Sequence, residues 1–468
     1  MPDIDRFDDD PPRRQDEPSD DDLRRFRESI KNGSRDINNP EALEEIIQFY
    51  FEQEEYDEAL RFAERLISFQ PFNSDAWQQK GMIFNNMFKY DEALQCYEKA
   101  LSLNPTDSEI YINRGITLDN LGRSDDSLTS FEKALELDPF SEEALFQKGL
   151  MLEKEEKFEE AISTFKKILA VNPEAKDAWY ELGYCLDFMD RLEESVKCYD
   201  EHLSRDPFNF NAWYNRGIVL NRRGEYEKSV QSYEMALAIN EVFPSAWYNI
   251  GNAYANLGKL DDAINCFKTT LKYEPADVPA WHNLANAYEE LSRFEDAIFA
   301  FTNAIKHDAN HSESYFGRGC CWDALNKPKK ALVDYKKALT ITSDYAELWY
   351  ARADAEYNLG KHDECIESYK MVLKLDPSNA EAWYDYGDTL GEMGLFFKAL
   401  EVLEESIKLS PKFGPSHYSR GKVLLMLGDT EGAIESMKTA FEFEPELKEL
   451  FKSEFPGFRR PFSRILKK

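Results

Sequence analysis

Ala246-Trp247-Tyr248-Asn249-Ile250-Gly251-Asn252-Ala253-Tyr254 sets a tryptophan four residues before a glycine inside a strongly helical stretch. A glycine in a helix interior costs roughly 1 kcal/mol against alanine, so its presence needs a compensating cause. The same spacing recurs every 34 residues. Working outward, Pro71, Pro105, Pro139, Pro173, Pro207, Pro275, Pro377, Pro411 and Pro445 keep one register with no insertion or deletion. With each proline as position 32, twelve units of 34 residues run from Pro40 to Leu447. Self-similarity of this period marks a repeat architecture, in which each unit packs only on its neighbours.

The columns of the register are chemically uniform. Position 8 is glycine in nine units and alanine at Ala285 and Ala353. Position 20 is always small, from Ala59 to Ala433. Position 4 is mostly Trp or Tyr, and position 24 mostly Tyr or Phe. Small residues facing large rings predict two amphipathic helices in close approach. Glycine near position 15, as in Gly122, Gly224, Gly258, Gly360, Gly394 and Gly428, predicts the turn between them. The proline closes the second helix. This Trp–Gly–Tyr–Ala–Tyr/Phe–Ala–Pro pattern resembles the tetratricopeptide repeat (TPR) family over about 87% of the chain. The resemblance implies an all-α, right-handed α-solenoid of twelve helix–turn–helix units.

The units are not equal. Unit 1 carries Leu43 and Ile47 at the tryptophan and glycine positions, as an end unit would. Units 6, 8 and 9 replace the closing proline by Glu241, Ala309 and Ser343, and unit 9 starts its second helix with Pro328. A change of pitch is expected around units 8 and 9. Outside the array, residues 1–19 are rich in Asp and Pro and should be disordered. Residues 20–39 hold a short capping helix and linker. Glu446 to Glu454 reads as a C-terminal capping helix, followed by a basic tail with Arg459, Arg460, Arg464, Lys467 and Lys468.

In TPR proteins the first helices line the concave groove, chiefly through positions 2, 5, 6, 9, 12 and 13. By resemblance, the partner-binding residues are then the ring row Phe146, Tyr180, Tyr214, Tyr248, His282, Phe316, Tyr350 and Tyr384, the amides Asn113, Asn215, Asn249, Asn252, Asn283 and Asn286, and the acids Asp354 and Asp388. Tyrosine gives a large amphipathic contact at low entropic cost. A carboxamide both donates and accepts, so the asparagine row has two readings: it grips an extended backbone, or it serves local helix contacts. Those six positions hold 22 Asp or Glu against Lys154, Arg222 and Lys422. Units 6 and 7, Asn211 to Asn256, form a nearly uncharged patch between acidic flanks.

The net charge of −32 disfavours nucleic-acid and anionic-lipid partners and favours basic ones. Position 5 holds no lysine, which argues against the chaperone-tail clamp of some family members. Seven cysteines without paired spacing, no secretory signal and no run of about 20 apolar residues point to the cytoplasm. No cofactor loop, nucleophile motif or metal-ligand spacing is present; His307 and His311 are separated by a turn. The expected function is a non-enzymatic adaptor or scaffold that binds a basic or amphipathic protein segment. The alternative is a non-catalytic targeting or assembly subunit of a larger enzyme complex. For the tail, the readings are a solvated terminus or docking to an acidic partner, a membrane surface, or the acidic groove of this or a second copy.

Overall fold

The computed structural model describes residues 40–456 and Phe462. The expected disorder of 1–19, the helix within 20–39 and the five tail cations lie outside the described residues. What is described is all-helical: twelve successive helix pairs and a final short helix, Leu447–Glu454. A typical pair is Phe210–Arg222 followed by Tyr226–Ile239, positions 1–13 and 17–30 of the unit. The chain divides into two bodies, residues 1–207 and 208–468. Each is an α-solenoid in which every helix packs on the next.

The structure supplies the cause of the position-8 glycine. A Cβ on Gly81, Gly115, Gly217, Gly251 or Gly319 would lie about 2.4–2.6 Å from the position-24 ring of the same unit. Position 20 sits behind that contact. Where it is serine, as at Ser127, Ser195 and Ser229, the hydroxyl donates to the carbonyl of the facing position-8 glycine at 2.7–2.8 Å. Two backbones come this close only when neither carries bulk.

The turn at position 15 is left-handed in all twelve units, although half of them lack glycine. Glu54, Phe88, Glu156, Asp190, Ser292 and Asn326 take φ of 55–59° where the glycines take 68–85°. The packed helix pair holds these residues in a conformation that glycine adopts freely.

Two further regularities went unread in the sequence. Position 34 is a helix N-cap: the side chains of Asn73, Asp107, Ser141, Asn209, Asp277, His311 and Asn379 each accept from a backbone N–H in the helix that follows. The position-4 indole locks one unit to the next. Trp77, Trp179, Trp281, Trp349 and Trp383 each donate from Nε1 to the carbonyl six residues back, at 2.8–3.1 Å. Trp247, six residues after Glu241, leaves its Nε1 buried without a partner. Hence Trp281→Phe should cost about 1 kcal/mol more than Trp247→Phe, the worth of one hydrogen bond. Urea denaturation midpoints of the two variants check this, and equal losses would remove the lock from the account.

Unit 9 departs from the other units in helix length. The second helix of unit 9, Pro328–Leu339, is two residues shorter than the usual fourteen and closes on a turn at Thr340–Thr342. At the far end the capping helix buries Phe451 against Phe441, and Phe462 lies 4.8 Å from Phe451 with no exposure. Part of the tail segment therefore belongs to the core of the last unit, so its charges are best tested by substitution rather than by deletion.

Candidate protein-binding face

The row expected at position 5 exists, half-buried rather than free. Each ring packs edge-on or tilted against the position-24 ring of its own unit: Phe146 on Phe165, Tyr180 on Tyr199, Tyr214 on Tyr233, Tyr248 on Phe267, His282 on Phe301, Phe316 on Tyr335 and Tyr350 on Tyr369, with centroids 5.5–6.0 Å apart. Tyr384 instead meets Phe413 edge-on at 5.4 Å, because position 24 of unit 11 is Leu403. One side of the row is thus core, and the other is left for solvent or a partner.

Position 6 reaches back to the preceding unit. Asn249 Nδ2 donates to Tyr214 Oη at 3.0 Å, and Asn283 Nδ2 donates to Tyr248 Oη at 3.0 Å and to Asn252 Oδ1 at 2.8 Å. The acidic units repeat the geometry: Tyr350 donates to Asp385, and Ser419 Oγ donates to Asp388 at 2.6 Å. Even the cap follows it, with Tyr418 donating to Glu454 at 2.7 Å. The amides of Asn249 and Asn283 already serve as struts between units, the local-contact reading of that row. Asn113 and Asn215 are half-buried, each on the first helix of its own unit, and Asn286 opens into a recess beside His282 and Phe316.

Two first-helix cations are engaged in ion pairs within their own bodies. Lys154 pairs with Asp119 at 2.7 Å and Lys422 with Asp388 at 3.1 Å. Not every acid carries full charge. Burial, with Glu153 alongside, pushes Glu181 up to about 8, and burial pushes Asp354 to about 6 although Tyr369 donates to it at 3.0 Å. Asp385 and Asp323 are raised by burial as well. The residue count therefore overstates the charge of the face near neutral pH, and that charge grows as these groups ionise.

This has a consequence for stability. A carboxyl raised by folding holds its proton in the native state after the unfolded chain has released it, so stability falls as pH rises through that window. For Glu181 the window runs from its ordinary 4.5 to about 8. Glu181→Gln should therefore be close to neutral near pH 5 and should stabilise by roughly 1–2 kcal/mol near pH 8.5, allowing for partial solvent screening. Melting at the two pH values checks it, and a pH-independent effect would refute the assignment.

The cysteines are all free and all buried except Cys320, which is half-buried with its thiol pushed by burial to about 11. It is a poor nucleophile at neutral pH. His311 Nδ1 accepts the Ser314 N–H at 3.2 Å and so acts as a helix cap. Among the described residues no group of three His, Cys, Asp or Glu could hold a metal ion, and no helix is long and apolar enough to cross a membrane.

Models of the tetratricopeptide repeat match residues 74–107, 244–277 and 278–311, and further repeat models match 96–129, 152–215, 219–258, 353–394 and 380–413. Together they span more than half of the chain. No curated protein sequence matches it significantly. Among solved structures, YrrB, described as a TPR protein with an unusual peptide-binding site, is 20% identical over 38% of this chain and 92% of its own, with a TM-score of 0.36. MamA is 26% identical over 36% of this chain and 92% of its own, with a TM-score of 0.35. The APC/C hetero-tetramer Cut9-Hcn1 is 15% identical over 92% of this chain and 97% of its own, with a TM-score of 0.39. With its twelve registered units and helix-pair packing, the chain belongs to the tetratricopeptide-repeat family.

Proposed function

We propose that the protein is a cytoplasmic adaptor or scaffold whose first-helix face binds a basic or amphipathic segment of a protein partner. TPR proteins generally mediate protein–protein interaction or assembly, and this chain adds a specific charge pattern. The observation that carries the reading is the acid excess of that face together with the commitment of Lys154 and Lys422 to Asp119 and Asp388. Exposed position-2 acids such as Glu313, Glu347 and Glu381 then meet solvent beside a half-buried aromatic row. A preformed helical scaffold binds an extended segment without ordering itself first, which keeps the entropic cost on the partner's side. The seven free cysteines fit a reducing compartment.

Titrating a dye-labelled amphipathic Lys/Leu peptide against the full chain tests this. Affinity should fall steeply with salt, and the triple change Glu313→Gln, Glu347→Gln and Glu381→Gln should weaken it about tenfold, as expected for lost charge complementarity. Salt-insensitive binding that the triple variant leaves unchanged would discard the acidic face as the docking surface.

A further inference from the structure

Unit 9 departs from the repeat in several columns, and the departures converge in space. It has Gly317 at position 6, the small Cys320 at position 9 and Ser343 in place of the closing proline. Its second helix stops at Leu339, and the turn that follows carries Thr342, Asp344 and Tyr345 to the first-helix face. A Cβ on Gly317 would come 2.3 Å from the Phe301 ring, so no other residue fits there without displacing that ring. The result is a recess of about 520 Å³ between the first helices of units 8 and 9. That volume lies within the range of about 300–1,000 Å³ usual for small-ligand pockets.

Its lining is chemically one-sided. Phe316 and Tyr345 form an aromatic wall, with ring centroids 5.5 Å apart and planes at 88°, and Tyr345 is 42% exposed. Three acidic residues line the recess from three separate segments: Glu289 from unit 8, its carboxyl raised by burial with Glu290 beside it, Glu313 from the first helix of unit 9, and Asp344 from the turn. No lysine or arginine lines it. Beside Glu313 lies His311, 3.7 Å away, whose Nδ1 accepts the Ser314 backbone N–H. His282, on the opposite wall, is pushed down to about 4 by burial with His311 beside it, and so adds no positive charge. An anionic cavity with an aromatic side wall and no internal cation is complementary to a planar cation.

We propose that this recess between units 8 and 9 is a pocket for a single arginine side chain presented by an extended protein segment. The proposal rests on the binding-face reading above and names the residue it selects. A guanidinium stacks on aromatic rings and forks its donors to carboxylates on different segments, whereas the compact ammonium of lysine does one of these at a time. Anionic ligands are repelled by Glu289, Glu313 and Asp344.

The test uses dye-labelled five-residue peptides, Gly-Ser-X-Ser-Gly, with arginine, citrulline or glutamate at X, followed by fluorescence anisotropy against the full chain. The arginine peptide should bind about tenfold more tightly than its neutral citrulline isostere, a difference of about 1.4 kcal/mol. The change Glu289→Gln with Asp344→Asn should abolish that preference, and the exposed-ring change Tyr345→Ala should weaken it severalfold. Unaltered thermal melting of both variants shows that they remain folded. Equal binding of arginine and citrulline peptides, no arginine binding up to about 10 mM, or an unchanged preference in the double variant would overturn the pocket. The amphipathic Lys/Leu peptide run in parallel separates the two ideas. If it binds with salt sensitivity while the arginine peptide does not, the face stands and the pocket falls; if neither binds, both fall.

Discussion

Arg318→Leu should lower stability by about 3–5 kcal/mol, the usual cost of leaving one member of a buried ion pair without its partner. Arg318 clamps Asp334 with two hydrogen bonds, Nε to Oδ2 at 2.8 Å and Nη2 to Oδ1 at 2.7 Å, and its Nη1 also reaches Thr302 at 3.0 Å. Asp334 is 4% exposed, so water cannot replace the guanidinium. Units 3 and 6 solve the same position with less charge: Arg114 and Arg216 each donate to a serine, Ser130 and Ser232, at 2.7 Å. The second change Asp334→Leu should therefore restore most of the loss, because a neutral pair leaves no buried charge unpaired. Chemical denaturation of the single and double variants checks this, and a double variant as unstable as Arg318→Leu alone would show that packing rather than charge sets the cost.

Gly251→Ala should cost about 2–3 kcal/mol although alanine is the better helix former, because one added methyl overpacks a closed core. Its Cβ would lie 2.6 Å from Phe267, a ring 1% exposed and packed among Ile264, Leu271 and Leu284. Two units carry alanine at this position, Ala285 and Ala353. Unit 8 has Ala285 at this position, and there the Phe301 ring lies against Gly317 of the following unit. Gly317 makes room beside Ala285, whereas Asn283 holds that register position after unit 7; unit 10 keeps Ala353 with Asp385 there, so glycine in the next unit is one accommodation and not a requirement. By contrast, Gly258→Ala meets nothing within 4 Å and should lose only about 1 kcal/mol, the strain of a left-handed residue at φ 70°. Parallel denaturation of the two variants tests the ordering, and a larger loss at Gly258 would contradict it.

The proposed arginine pocket and these stability effects share a physical origin. In a repeat array each column is shaped by its own unit and by the next one, so a departure in one column is answered 16 to 35 residues away. Gly317 answers Ala285, and the early end of the unit 9 helix accompanies Ser343. Such answers cluster at units 8 and 9, where the recess forms.

The helices, their register and their core columns follow from the amino-acid order alone. Each of these is a local periodicity: proline ends a helix, a small column faces a ring column, and both recur every 34 residues. Positions 5, 6 and 9 lie together on the first helices, as the register implies. The amino-acid order could not show that half of the position-15 turns reach left-handed φ without glycine, because helix packing and not side-chain preference holds them there. Nor could it show that the amides of Asn249 and Asn283 are bound to tyrosines of the preceding unit, or that Glu181 and Asp354 are held partly neutral. Those facts depend on which groups distant in the sequence share a desolvated space, and that follows from the packing of the helices.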